Sequence, residues 1–279
     1  EILGCPVSSR KEGMRLPAKK RVGLVLSGGA VRGAAHIGVL QVLEEHSIRP
    51  YCVAGTSAGS AIGVVYCAGF TSAQMKKAAL DFRWERFARV TRPRLGLFDV
   101  SRMEDYLIDL IGDLQFGELR IPFAAVAADI VRDELVVLRQ GRVAPAVHAS
   151  CAVPGVFTPV EHEGRLLVDG GVINNLPVSV ARDMGADYVI AVDLLAPHIV
   201  MSEPPRNLLE VWYLSLFTLM RNTHREASEA DIIIQPDIGR LGWIDTSNIA
   251  TLIDRGREAA EALMPRILRD LGMEDKDAG

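Results

Sequence analysis

From Val22 to Leu26 the chain is apolar without a polar break, and glycines follow close behind, the pattern of a strand buried on both faces. The period then changes. Val31, Ala35, Val39 and Val42 recur every three or four positions while Glu44 and Glu45 mark a polar side, which predicts a helix over 31–46. Tyr51–Ala54 predicts a second buried strand, and the small residues of Ala58–Ala68 a helix packed closely in the interior. This strand–helix–strand–helix order points to an α/β protein with a mostly parallel central sheet and helices on its faces.

Ser72–Phe82 reads as a helix, and the aromatic and basic stretch 83–98, with Pro93 and Gly96, as an extended loop. A helix is expected near 102–111, with Ser101 and Glu104 at capping-box spacing. Phe123–Ala128 and Leu135–Leu138 predict strands, and 142–151 a helix that stops before Pro154-Gly155. Arg165–Val168 is a short strand running into Asp169-Gly170-Gly171. Pro177–Met184 reads as a short helix, Tyr188–Val192 and Ile232–Ile234 as strands, and about Ile249–Leu271 as a closing helix. No repeat or composition break divides the body, so residues 22–279 are expected to form one domain behind an extended basic segment, 1–21.

The stretch 208–220 is apolar around nearly its whole circumference. As a helix it reaches about 20 Å, short of the roughly 30 Å hydrocarbon core of a bilayer. Either the core covers it, or one face opens to a lipid-like substrate, a membrane or a partner.

With 49% hydrophobic and 24% charged residues in 279, the chain has the composition of a folded domain. Its formal net charge is −4, yet Arg10, Lys11, Arg15, Lys19, Lys20 and Arg21 make the leader basic and leave the body acidic. A body of that sign offers no nucleic-acid footprint. The leader reads as a solvated tail, or as a contact for an anionic membrane surface. Cys5, Cys52, Cys67 and Cys151 form no disulfide framework and no metal-ligand spacing, so no metal or cofactor is expected. A reducing, cytoplasmic setting follows, with peripheral membrane contact. The alternative is a lipid anchor outside the cytoplasm, because Ile2-Leu3-Gly4-Cys5 loosely matches a lipoprotein cleavage box.

Candidate chemistry begins at Gly55-Thr56-Ser57-Ala58-Gly59, a GxSxG sequence between a strand and a helix. A serine on such a turn is exposed and strained. Small neighbours let the backbone turn, and the helix that follows aims its positive end at developing negative charge. Ser57 is therefore the candidate nucleophile, and it needs a base. His36, His46, His148 and His162 read as structural. His198 and His224 fit a Ser-His-Asp order by position alone. Asp169 is the better candidate base: it ends a strand, and Gly170 and Gly171 let a carboxylate approach unobstructed. Asp129, Asp193 and Asp245 lack that glycine pair. Because a carboxylate has an ordinary pKa near 3.9, such a dyad requires a dry site and strong oxyanion stabilisation.

Between the first strand and helix lies Ser27-Gly28-Gly29-Ala30-Val31-Arg32-Gly33, whose amides can form an anion-binding nest. The dinucleotide fingerprint fails at Ala30, and the lysine of a phosphate-binding loop is missing. An oxyanion hole from Gly28, Gly29, Ala30, Arg32 and Gly33 is the more economical role. Arg32 reads equally as an orienting charge for a phosphate head group or as a structural arginine.

Taken together, Ser27–Gly33, Gly55–Gly59 and Asp169-Gly170-Gly171 resemble the patatin-like phospholipases, in which a glycine loop, a GxSxG serine and an Asp-Gly-Gly/Ala aspartate occur in this order. The likeness extends through His36-Ile37-Gly38-Val39-Leu40, Pro154-Gly155-Val156-Phe157 and Asn174-Asn175-Leu176-Pro177, and spans about residues 22–195. It implies a three-layer α/β/α fold, a metal-free Ser–Asp dyad of Ser57 and Asp169, and phospholipids, lysophospholipids or other acyl esters as substrates. One departure stands out: Ser27 occupies the place of the loop's first glycine in many members. Serine fits there only if its φ stays negative. The rival functions are an inactive lipid-binding or interaction module of the same fold, a nucleotide-binding α/β protein, and a Ser-His-Asp esterase.

Overall fold

The computed structural model describes residues 20–83, 89–90, 95–99, 101–195, 204–223, 226–239 and 245–273. In chain order these form β1 (Val22–Leu26), α1 (Ala34–Glu45), β2 (Cys52–Thr56), α2 (Ala58–Cys67), α3 (Ser72–Leu80), β3 (Arg89–Val90), β4 (Gly96–Asp99) and α4 (Ser101–Ile111). Then come β5 (Phe123–Asp129), β6 (Glu134–Leu138), α5 (Val143–Ser150), β7 (Gly155–Phe157), β8 (Val160–His162) and β9 (Arg165–Asp169). The chain continues with α6 (Val178–Asp183), β10 (Tyr188–Val192), α7 (Leu208–Arg221), β11 (Ile232–Ile234) and α8 (Ile249–Leu271).

The central sheet is parallel from β11 through β10, β1 and β2 to β5, and antiparallel where β6, β9 and β8 join. Alternation along β1 sends Leu24 and Leu26 to one face and Val25 to the other. The first face is covered by α1, α2 and α8, the second by α6, giving three unequal layers.

Register explains how distant residues meet. β6 pairs with β5 along Ala125–Asp129, while β2 pairs with Phe123–Val126 and β9 with Ala127–Asp129. A strand has only two edges, so β2 and β9 share the one that β6 leaves free. They run toward each other, and their ends stop at consecutive β5 residues: Thr56 opposite Val126, Asp169 opposite Ala127. The antiparallel turn of β9 thus carries Asp169 to the carboxyl end of β2.

Two sequence expectations change. Part of 83–98 is strand, since β4 pairs with β3 and, in parallel, with β7, while 84–88 and 91–94 lie outside the described residues. β7 and β8 were not expected: their short runs carry no sustained alternation. The basic residues 1–19, Cys5, His198 and His224 also lie outside the described residues. Among the described residues no helix is long and apolar enough to cross a membrane.

Candidate active site

Ser57 stands between the last residue of β2 and the first of α2 with φ 53° and ψ −125°. A non-glycine residue held there stores roughly 1–3 kcal/mol of strain. Its surroundings fix it. The Ser57 N–H donates to Ser150 Oγ at 3.0 Å, its carbonyl accepts from Ser60 Oγ at 2.7 Å, and Thr56 Oγ1 donates to the Asn174 carbonyl at 3.1 Å. The turn is tight enough that a Cβ on Gly55 would come within 2.6 Å of the Gly59 carbonyl oxygen.

Asp169 is completely buried. Its N–H donates to the Ala152 carbonyl at 2.9 Å, and its Oδ1 accepts the Gly171 N–H at 2.8 Å. Oδ2 makes no hydrogen bond of ordinary length, though the Ser57 side chain is near enough to favour the charged carboxylate. Burial dominates and pushes the Asp169 pKa up to about 6; the Ser57 side chain and the Gly171 N–H pull the other way.

The glycine loop packs against Ser57 and the start of α2. Ser27 keeps a negative φ, so its replacement of glycine is tolerated; the left-handed position is Ala30, at φ 52°. Ser27 is tied down on all sides: N–H to the Val192 carbonyl at 3.1 Å, Oγ accepting the Leu194 N–H at 2.9 Å, and carbonyl accepting His36 Nε2–H at 2.9 Å. Gly28 is closely packed: a Cβ there would meet Asn175 Oδ1 at 2.5 Å and Ser57 Cβ at 3.0 Å, so a side chain would force its neighbours to shift. A Cβ on Gly33 would lie 2.8 Å from that of Ala58.

Gly29, Ala30, Gly33, Ser57, Ala58 and Asp169 all line one cavity of about 210 Å³. Apart from Ser57, Asp169, Tyr106 and Cys151 its described walls are apolar, built from α2, α3, α4 and α7. Gly28, Gly55, Thr56, Gly59, Gly170 and Gly171 stand behind this lining. Arg32 is buried and does not line the cavity, which favours the structural reading over contact with a head group. No described histidine lines the cavity: His36 faces the Ser27 carbonyl, and His148 Nδ1 meets Glu104 at 2.6 Å. Glu104 is thereby engaged across helices. The rival aspartates are occupied elsewhere, Asp129 with Arg132 at 2.8 Å, Asp193 with the Leu195 N–H at 2.8 Å, and Asp245 with the Ser247 N–H at 2.9 Å.

Sequence reasoning missed the residues that hold the site together. Ser150 and Ala152 take the backbone amides of Ser57 and Asp169, and nothing in their local pattern marks them. Asn175 Oδ1 sits close to both Gly28 and Gly171, and its N–H donates to Thr223 Oγ1 at 3.1 Å. The Asn174-Asn175 pair before Pro177 was the available signal.

Helix α7 resolves the alternatives for 208–220 into a two-sided answer. Phe217 and Met220 close on the cavity, while Leu208 is 81% and Leu219 66% exposed.

Residues 24–182 match the family described as patatin-like phospholipase. An NTE family protein of Mycobacterium tuberculosis is 35% identical over 192 residues, 68% of this chain and 52% of the relative. A second from the same organism is 31% identical over 275 residues, covering 88% and 47%. Patatin-like phospholipase domain-containing protein 6 of Mus musculus is 36% identical over 181 residues, 62% of this chain and 13% of the relative. The chain thus spans about half the length of its mycobacterial relatives. Among solved structures, VipD from Legionella pneumophila superposes with TM-score 0.55 at 14% identity over 89% of this chain and 67% of its own. The type III effector ExoU of Pseudomonas aeruginosa gives 0.52 at 14% identity over 90% and 54%. At those identities the likeness is one of fold.

Proposed function

Since this chain belongs to the patatin-like phospholipase family, we propose that it is a serine acyl hydrolase of lipid or other carboxylic esters, working through a Ser57–Asp169 dyad. The observation that carries the reading is a strained serine and a fully buried aspartate facing one apolar cavity.

In this reading Asp169 accepts the Ser57 proton as Ser57 Oγ bonds to the ester carbonyl carbon. The carbonyl oxygen becomes negative and is met by amides of the Gly28–Ala30 loop and of Ala58 at the start of α2. The C–O bond to the alcohol then breaks, and the alcohol leaves with the proton from Asp169. Water, deprotonated by Asp169, attacks the acyl-enzyme and returns Ser57 and a carboxylic acid. A base with pKa near 6 is better matched to this work than an ordinary carboxylate. The apolar walls fit an acyl chain and keep competing water out. The apolar side chains that α7 leaves exposed fit contact with a lipid surface. Residues 22–279 serve here as one acyl hydrolase domain.

The test is an ester and lysophospholipid hydrolysis panel on wild type, Ser57→Ala and Asp169→Asn, with labelling by a small fluorophosphonate. Wild type should hydrolyse and label, and both variants should lose at least a thousandfold in rate while staying folded. A folded Ser57→Ala variant of undiminished activity ends the proposal. A wild type that neither labels nor hydrolyses favours the inactive module.

A further inference from the structure

Among the described residues one histidine is fully enclosed, and the acyl-transfer reading gives it no part. His36 on α1 is fully enclosed, does not line the cavity, and donates Nε2–H to the Ser27 carbonyl at 2.9 Å. The other polar atoms of Ser27 are held separately: the N–H by Val192, the hydroxyl by Leu194 and Gly28. The carbonyl is therefore the atom that His36 controls.

That carbonyl belongs to the same peptide unit as the Gly28 N–H. A trans peptide is planar and points its C=O and N–H in opposite directions. Fixing the oxygen toward α1 turns the Gly28 N–H away from α1, and Gly28 is packed against Ser57. We propose that His36 is a positioning residue for the reaction: by holding the Ser27 carbonyl it aims the Gly28 N–H at the oxygen that turns negative in the tetrahedral intermediate.

The imidazole suits that task because it stays neutral. Burial lowers its pKa to about 4, despite the Ser27 carbonyl and the nearby Asp193 charge. Nδ1 has no partner, so a cationic ring would strand a second N–H in the interior. With Nε2 as the donor, the bare nitrogen is Nδ1 and the hydrogen bond has one fixed direction.

The inference rests on the acyl hydrolase reading, and its test separates the two. His36→Gln and His36→Met have side chains of similar length, one with an amide donor and one without. Each is measured for thermal unfolding, for kcat and KM on a short-chain 4-nitrophenyl ester, and for affinity to two ligands. One is an alkyl trifluoromethyl ketone, which takes up Ser57 to form an oxyanion; the other is the matching fatty acid, which forms none. Removing a whole oxyanion donor costs about 10²–10³ in kcat. A mis-aimed one should cost roughly tenfold or more in kcat and in ketone affinity, with KM and fatty-acid affinity held within about twofold. His36→Gln should recover most of the loss. A folded His36→Met variant with wild-type kcat and ketone affinity overturns the inference, and so do equal losses in both variants, which would mark a packing role. Either result leaves the dyad reading intact if Ser57→Ala is inactive. Undiminished hydrolysis by Ser57→Ala removes both.

Discussion

The backbone N–H of Ser57 donates to the hydroxyl of Ser150 at 3.0 Å, and that hydroxyl donates in turn to the Val126 carbonyl at 2.6 Å. Two residues on, the Ala152 carbonyl takes the Asp169 N–H. One short stretch at the C-terminal end of α5 therefore grips both candidate catalytic residues by their main chains. Ser150→Ala strands a buried donor and a buried acceptor, so it should lose about 1–3 kcal/mol of stability and lower kcat more than it raises KM. Urea unfolding and steady-state kinetics read both; unchanged values in each would show that the grip is idle.

The strained backbone of Ser57 makes a separate prediction. Glycine has no Cβ to clash at φ 53°, so Ser57→Gly should unfold later than Ser57→Ala, by roughly 1 kcal/mol. Both variants should be inactive. Equal stability would mean that the turn relaxes on losing the hydroxyl.

A pKa near 6 for Asp169 sets the acid limb of kcat/KM, which should fall tenfold per pH unit below about 6. The stability consequence has the opposite sense from a salt-bridged carboxylate. Between the ordinary 3.8 and about 6 the folded state holds more protons than the unfolded one. Stability therefore falls as pH rises through that window, and the full cost of a buried charge is present above it. Asp169→Asn should be more stable than wild type at pH 8, by up to about 3 kcal/mol, and lose that advantage below about pH 4. Parallel denaturation curves at the two pH values decide it.

The cavity runs along α2, whose Ala58, Ala61, Ile62 and Val65 line it. Ala58 and Val65 are about 10 Å apart along the helix axis. Ala61 is one turn beyond the nucleophile, so Ala61→Phe should block an acyl chain there. Rates on acetyl esters should hold within about threefold while those on decanoyl esters fall at least tenfold. Fluorophosphonate labelling of Ser57 should persist, and an unaltered chain-length profile would place the acyl group elsewhere.

The parallel half of the sheet was readable because β1, β2, β5 and β10 are continuous apolar runs, and the long amphipathic α8 stood out by its period. Ser57, Asp169 and the glycine loop were readable because strained turns and close approaches restrict residue choice to a few small types. The juxtaposition of β2 and β9 along one edge of β5 was not readable, since strand order and direction depend on partners far apart in sequence. Nor were Ser150, Ala152 and Asn175, whose work is done largely through backbone groups or by filling space. The short β7 and β8 escaped for want of length, and of the two readings open for Arg32 its burial favours the structural one.

A methyl group on Gly28 would crowd Asn175 Oδ1 and Ser57, and one on Gly33 would collide with Ala58. Architecture, rather than chemistry, enforces those two residues. A duplicated gene freed from selection for turnover can surrender its serine and aspartate at small structural expense, yet must retain the glycines to keep this loop packed against the start of α2. Across other chains of this lineage, the loop glycines alone thus certify a shape, and only the hydroxyl and the carboxylate certify an enzyme.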